Sequence, residues 1–142
     1  MKRILNFDMD GTIADFYGVE GWLESIENSD THPYDAAKGK LNLSQLAKLL
    51  NRLSDYEINI ISWTAKDGSP SYNKAVEAAK KKWLNRHLPS VHFAHIYIVD
   101  YGTPKHEISE GILFDDNEEI RNDWGEGAFD ETEILKVLKG LI

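Results

Sequence analysis

Four short apolar segments punctuate the chain: Arg3–Phe7, Glu57–Ser62, His95–Val99 and Gly111–Phe114. Each is rich in Ile, Leu, Val or Phe and too short for a helix, the pattern of strands buried in a sheet. Helical periodicity fills the intervals. Leu43, Leu46, Leu49, Leu50 and Leu53 fall on one helical face, with Asn42 placed to cap it. Tyr72, Ala75, Val76, Ala79, Trp83 and Leu84 form a second stripe, closed by Pro89. Ile134, Leu135, Val137, Leu138 and Leu141 form a third, and Phe16, Val19, Trp22, Leu23 and Ile26 predict a helix soon after the first strand. Strands alternating with helices predict an α/β fold with a mostly parallel sheet.

Such sheets bind ligands where their strands end. The residues that follow each strand therefore carry the chemistry: Asp8 and Asp10, then Ser62 to Lys66, then Tyr101 to Lys105, then Asp115 and Asp116. Any one of these groups has an ordinary explanation, such as an Asx turn or a solvated loop. Together they describe a site.

In "FDMDGT" two carboxylates lie two residues apart, followed by Gly11, which allows a sharp turn. Crowded carboxylates need a cation, or one of them must hold a proton. A calcium loop starting at Asp8 would need Gly at its sixth position and Glu at its twelfth, where Ile13 and Val19 stand. In "ILFDD" Asp115 and Asp116 follow an apolar strand. Brought beside Asp8 and Asp10, they complete a site for a hard divalent ion such as Mg²⁺, which takes carboxylates, water and phosphate oxygens. Lys105 in "YGTPK" is suited to neutralise a carboxylate and an incoming phosphate. Ser62 and Thr64 in "IISWTAK" each offer a hydroxyl to a phosphate oxygen.

Composition narrows the field. The 142 residues carry 16 Lys and Arg against 24 Asp and Glu, a formal charge of −8. That balance argues against a nucleic acid polymer as partner, since such binders carry a basic stripe. The densest basic cluster, Lys80 to Lys82, reads as a solvated helix face. Cysteine is absent, which removes disulfides, thiolate nucleophiles and thiolate metal sites. No apolar run reaches the roughly 20 residues of a membrane span. The short apolar stretch near the start is broken by Asp8, too early for a leader core. The expectation is a soluble, cytoplasmic protein of one domain, 1–142, with no membrane partner. Neither GxxxxGK[ST] nor GxGxxG occurs, so a P-loop kinase and a dinucleotide oxidoreductase are not indicated.

The ordered set "FDMDGT", "IISWTAK", "YGTPK" and "ILFDD" resembles the four motifs of the haloacid dehalogenase-like (HAD) phosphohydrolase superfamily, over Met1 to about Asn117. Within it, "KKKWLNRHLP", "ILFDDN" and the tail "IRNDW…GAFDE" resemble the 5′(3′)-deoxyribonucleotidase branch. The resemblance implies a Rossmann-like three-layer α/β/α sandwich with a small helical cap insert at about 14–41. It implies an aspartyl-phosphate mechanism, with Asp8 as nucleophile and Asp10 as general acid and base. Mg²⁺ would be held by the Asp8 carboxylate, the Asp10 backbone carbonyl and Asp115 or Asp116. Lys105 and a hydroxyl, Thr64 or Ser62, would hold the phosphate oxygens, and Lys66 would reach phosphate or stay an exposed loop lysine. The substrate would be a small phosphate ester: a deoxynucleoside monophosphate in that branch, a sugar phosphate or other small phosphometabolite otherwise. Phe16, Tyr17 and Trp22 lie in the insert, placed either to stack on a nucleobase or to pack the insert onto the core. A signalling receiver domain uses similar residues, but its acidic pair comes early and its phosphorylated Asp mid-chain. Here D-x-D comes first and "DD" last. A non-catalytic binding domain is disfavoured by retention of both Asp8 and Asp10.

Overall fold

The computed structural model describes residues 3–142. Met1 and Lys2, which open the stretch read above for a leader, lie outside the described residues. Five strands form one sheet: β1 (Ile4–Phe7), β2 (Glu57–Trp63), β3 (His95–Val99), β4 (Ile112–Phe114) and β5 (Ala128–Phe129). Their order is β3-β2-β1-β4-β5 and every pairing is parallel. The helices are α1 (Trp22–Glu27), α2 (His32–Ala36), α3 (Leu43–Asn51), α4 (Pro70–His87), α5 (Glu118–Trp124) and α6 (Ile134–Leu141). This is a Rossmann-like α/β architecture.

β1 lies at the centre and is buried along its whole length, with Ile4, Leu5 and Phe7 apolar and the Asn6 amide donating to the Glu110 and Ile112 carbonyls. Leu5 and Phe7 share one apolar cluster with Leu46, Leu49 and Leu50 of α3, Trp83 and Leu84 of α4, and Ile134 and Leu138 of α6. The Phe7 and Phe114 rings stack with centroids 5.0 Å apart. Asn42 caps α3 as its spacing predicts, its side chain accepting from the Gln45 N–H at 3.0 Å. Ser69 caps α4 in the same way, with Pro70 in the first turn.

The stretch from Phe16 to Ile26, expected as one helix, is divided. A single 3₁₀ turn, Phe16–Gly18, is separated from α1 by Gly21, which stands in the left-handed region at φ 74°. That conformation ends one helical run and starts the next. The short elements α5 and β5 carry too few residues to leave a periodic signal. No helix among the described residues is long and apolar enough to cross a membrane.

The strand order places the switch in chain direction at β1, between β2 and β4. Loops leaving the carboxyl ends of these strands open a crevice between them. Phe7 pairs with Ile60 on one side and Phe114 on the other, so Asp8 emerges beside Asp115.

Because Leu50 is almost fully buried in the main cluster, Leu50→Ala should cost about 2–5 kcal/mol of stability. Urea unfolding measures this, and a cost below about 0.5 kcal/mol would place α3 outside the core.

Candidate active site

The turn after β1 is built by its own backbone. The N–H groups of Thr12, Ile13 and Ala14 all donate to the Met9 carbonyl, at 2.9–3.1 Å. Gly11 stands at φ 81°, and a Cβ there would lie 2.4 Å from Asp116 Oδ2 and 2.9 Å from the Tyr17 ring. Glycine thus meets two demands at once, the left-handed backbone and the close approach of β4's acidic loop.

Thr12, not singled out in the sequence, ties the two loops together. Its hydroxyl donates to Asp8 Oδ2 at 2.9 Å and accepts from the Asp116 N–H at 3.1 Å. Lys105, on a 3₁₀ turn after β3, is buried and donates to Asp8 Oδ1 at 2.9 Å and Asp115 Oδ2 at 2.7 Å. The face of Trp63 lies 5.6 Å from this ammonium, and the Trp63 indole donates to the Thr103 carbonyl at 2.8 Å. Asp115 is held further by the Asn117 N–H on its Oδ1 at 3.0 Å. Arg121 of α5 donates to its backbone carbonyl at 3.0 Å.

Asp8, Asp115 and Asp116 each offer an oxygen within 4.8 Å of the others. The Asp10 carboxylate lies outside this trio, with Oδ2 against Lys80 Nζ at 3.1 Å. Here the fold overturns the reading of Lys80 as solvated. It is 1 % exposed, while its neighbours Lys81 and Lys82 do face solvent. Position 80 lies on the inner face of α4 with Val76, Ala79 and Trp83, a placement that charge alone does not reveal.

The two candidate hydroxyls differ. Ser62 Oγ accepts from Lys80 at 2.6 Å. Thr64 Oγ1 is buried and has no hydrogen-bond partner among the described residues, yet Thr64 lines the cavity over the site. An unpaired buried hydroxyl is costly, and an oxygen-rich ligand would satisfy it. Lys66 is exposed, at the cavity's edge, with its ammonium 6.0 Å from the Tyr101 ring.

The cavity measures about 660 Å³. Asp8, Asp10, Lys105, Asp115 and Asp116 are at its floor or sides, and Tyr17, Trp22, Leu23 and Ile26 of the segment after β1 contribute to its lining. Phe16 is not in that lining. It is buried against Tyr17, Trp22 and Tyr34, with ring centroids 4.7–5.6 Å away. Tyr17 is 53 % exposed and meets Trp22 edge-on at 4.9 Å.

The electrostatics suit a cation. Burial pushes the Asp115 carboxyl up to about 6, with Asp8 adding to the rise and Lys105 opposing it. Asp116 is pushed up to about 8 by burial, by the Asp8 charge and by hydrogen bonding to Asp8. Burial also raises Asp10, against the pull of Lys80. Burial alone would lower Lys105, but Asp8 and Asp115 outweigh it and keep the ammonium charged. Were all four carboxylates ionised, two lysines would leave two negative charges, which a divalent ion offsets, and the oxygen-only trio matches a hard ion such as Mg²⁺.

No family model matches the chain, and no curated protein matches it. Among solved structures, the chain is similar to the D,D-heptose 1,7-bisphosphate phosphatase of Burkholderia thailandensis. The TM-score is 0.58 and the identity 14 %, with 99 % of this chain and 98 % of that one covered. The two share a fold from end to end.

The raised carboxyls give the metal-free protein a defined pH response. Between the ordinary carboxylate value and about pH 6 for Asp115, and about pH 8 for Asp116, the folded group holds a proton that the unfolded chain has released. Stability from these groups is therefore greatest in acid and falls as pH rises through their folded values. In EDTA the thermal midpoint should fall from pH 5 to pH 8, and Mg²⁺ should restore it at pH 8. A midpoint at pH 8 that ignores Mg²⁺ counts against a cation on this trio. Gly11→Ala should displace the Asp116 carboxylate and weaken Mg²⁺ binding at least about tenfold by calorimetry, equivalent to roughly 1.4 kcal/mol. Unchanged affinity would show that Asp116 is not a ligand.

Proposed function

We propose that this protein is a phosphomonoester hydrolase that works through a phosphoaspartyl intermediate on Asp8. One observation carries the reading. The Asp8 carboxylate opens into the cavity while Lys105 and Thr12 fix its two oxygens, and an unpartnered Thr64 hydroxyl lies in the same cavity. A positioned nucleophile beside donors for a trigonal phosphoryl group is what in-line transfer requires.

In the first step an Asp8 oxygen bonds to phosphorus as the ester P–O bond breaks. Asp10 gives its proton to the departing alkoxide oxygen. In the second step a water oxygen bonds to phosphorus, the Asp8–phosphorus bond breaks, and Asp10 recovers a proton from that water. Ester and water have become alcohol and phosphate. Lys105 and Thr64 hold the non-bridging oxygens as charge gathers on them. We assign the second-motif hydroxyl to Thr64, because the Ser62 hydroxyl is engaged by Lys80. Mg²⁺ would be held by Asp8, Asp115 and Asp116 with the Asp10 backbone carbonyl. Bound there, it neutralises charge and polarises a phosphoryl oxygen.

In this reading residues 14–41 act as a small cap on a single domain, 1–142, working in the cytoplasm. The substrate is a nucleoside monophosphate, and by resemblance a deoxynucleotide. Tyr17 and Trp22 on one part of the lining and Trp63 with Tyr101 on another give aromatic surface suited to a base. Phe16 supports Tyr17 and Trp22 from behind rather than touching substrate, and Lys66 meets the ester at the cavity mouth.

The test is phosphate release from deoxynucleotides, ribonucleotides, sugar phosphates and an aryl phosphate, with and without Mg²⁺. Release should require Mg²⁺, favour deoxynucleotides, and fall at least about 10³-fold in Asp8→Asn. A preference for sugar phosphates would replace the nucleotidase assignment and keep the hydrolase. No release from any ester by folded protein, or full activity in Asp8→Asn, would end the hydrolase reading.

A further inference from the structure

The Lys80 ammonium has three N–H donors and meets three acceptors: Ser62 Oγ at 2.6 Å, the Trp63 carbonyl at 2.7 Å and Asp10 Oδ2 at 3.1 Å. Two of these belong to the end of β2, a buried central strand, and anchor the ammonium in a fixed place. The third N–H is then aimed at Asp10. The Tyr34 ring, 5.3 Å from Nζ, closes a further side. Lys80 ion-pairs only with Asp10 among the described residues. Asp10 stands at the start of a tight turn and lines the cavity, and its side chain would otherwise be free to choose among staggered rotamers. A buried lysine is an expensive way to join a helix to a strand, which an apolar side chain does without desolvating a charge.

We propose that Lys80 is a positioning residue that holds the Asp10 side chain where it transfers a proton to and from the ester oxygen. This rests on the hydrolase reading above. Lys80 does not touch substrate; it acts through Asp10. Its loss therefore matters when the leaving oxygen needs a proton and matters little when it does not.

Lys80→Met tests this on two esters. One is the best alkyl phosphate of the panel, whose alkoxide needs protonation. The other is 2,4-dinitrophenyl phosphate, whose phenolate leaves without a proton. The first transfer is read as kcat/KM. Lys80→Met should lose about 10²-fold on the alkyl ester and less than about fivefold on the aryl ester, in keeping with the usual worth of general acid catalysis. An equal loss on both esters overturns the proposal and makes Lys80 a structural residue.

A second comparison removes the buried charge mismatch. Asp10→Asn with Lys80→Met should match Asp10→Asn alone within about threefold on the alkyl ester, because a residue acting through Asp10 has nothing left to position. A further loss near 10²-fold overturns the proposal even if Lys80→Met alone does not fold. A wild-type protein that cleaves neither ester removes the hydrolase reading and this proposal with it. Wild-type activity with an equal loss on both esters removes the role of Lys80 alone.

Discussion

The site depends on the Lys105 ammonium lodged between Asp8 and Asp115. Parallel strands in register deliver these acids side by side at the sheet's carboxyl edge, where they are buried and mutually repulsive. Without a cation the strand ends would splay or the acids would take up protons. One lysine satisfies an oxygen of each. It comes from a different loop, after β3, so the arrangement also fixes how that loop crosses the face of β2, with Trp63 beneath it. Among the described residues Asp116 has no lysine partner, and its carboxyl is raised more than that of Asp115, which is where a divalent ion has most to offer.

A second buried lysine gives the site its other half. Asp8 and Asp10 are chemically identical and two residues apart, yet the turn sends their side chains to different partners. Asp8 meets Lys105 and Thr12, while Asp10 meets Lys80. In the proposed hydrolase, environment and not residue type would separate the nucleophile from the proton carrier. Gly11 makes this division possible, because any side chain there would collide with Asp116 and with Tyr17. The segment after β1 then packs its Phe16, Trp22 and Tyr34 against Tyr72 of α4, leaving Tyr17 partly free at the cavity.

Much of the fold was legible in the chain. Strands β1 to β4 fall within a residue of the apolar runs, and α3, α4 and α6 lie on the stripes that predicted them. Buried parallel strands and amphipathic helices leave strong periodic signals because each must bury a continuous face. The break at Gly21 and the short α5 and β5 were not legible, since local backbone choice and tertiary pairing outweigh pattern over so few residues. The acids, Lys105 and Thr64 were legible as groups that follow strands, whereas Ser62 lies within β2, which runs one residue further than its apolar pattern. Thr12 and Trp63 were missed because an isolated threonine or tryptophan beside a motif carries no signal of its partners.

By itself the sequence determined the α/β class, the parallel sheet and the strand ends at which the chemistry-bearing residues lie, because hydrophobic period and strand position are local properties. Only the tertiary structure decided which residues act together. It joined Lys105 to Asp8 and Asp115, gave Ser62 to Lys80 while leaving Thr64 unpartnered, placed Phe16 behind the cavity and sank Lys80 into the interior. Those outcomes turn on contacts between groups tens of residues apart in the chain, and on burial, which converts an ordinary surface lysine into a charge that must find partners.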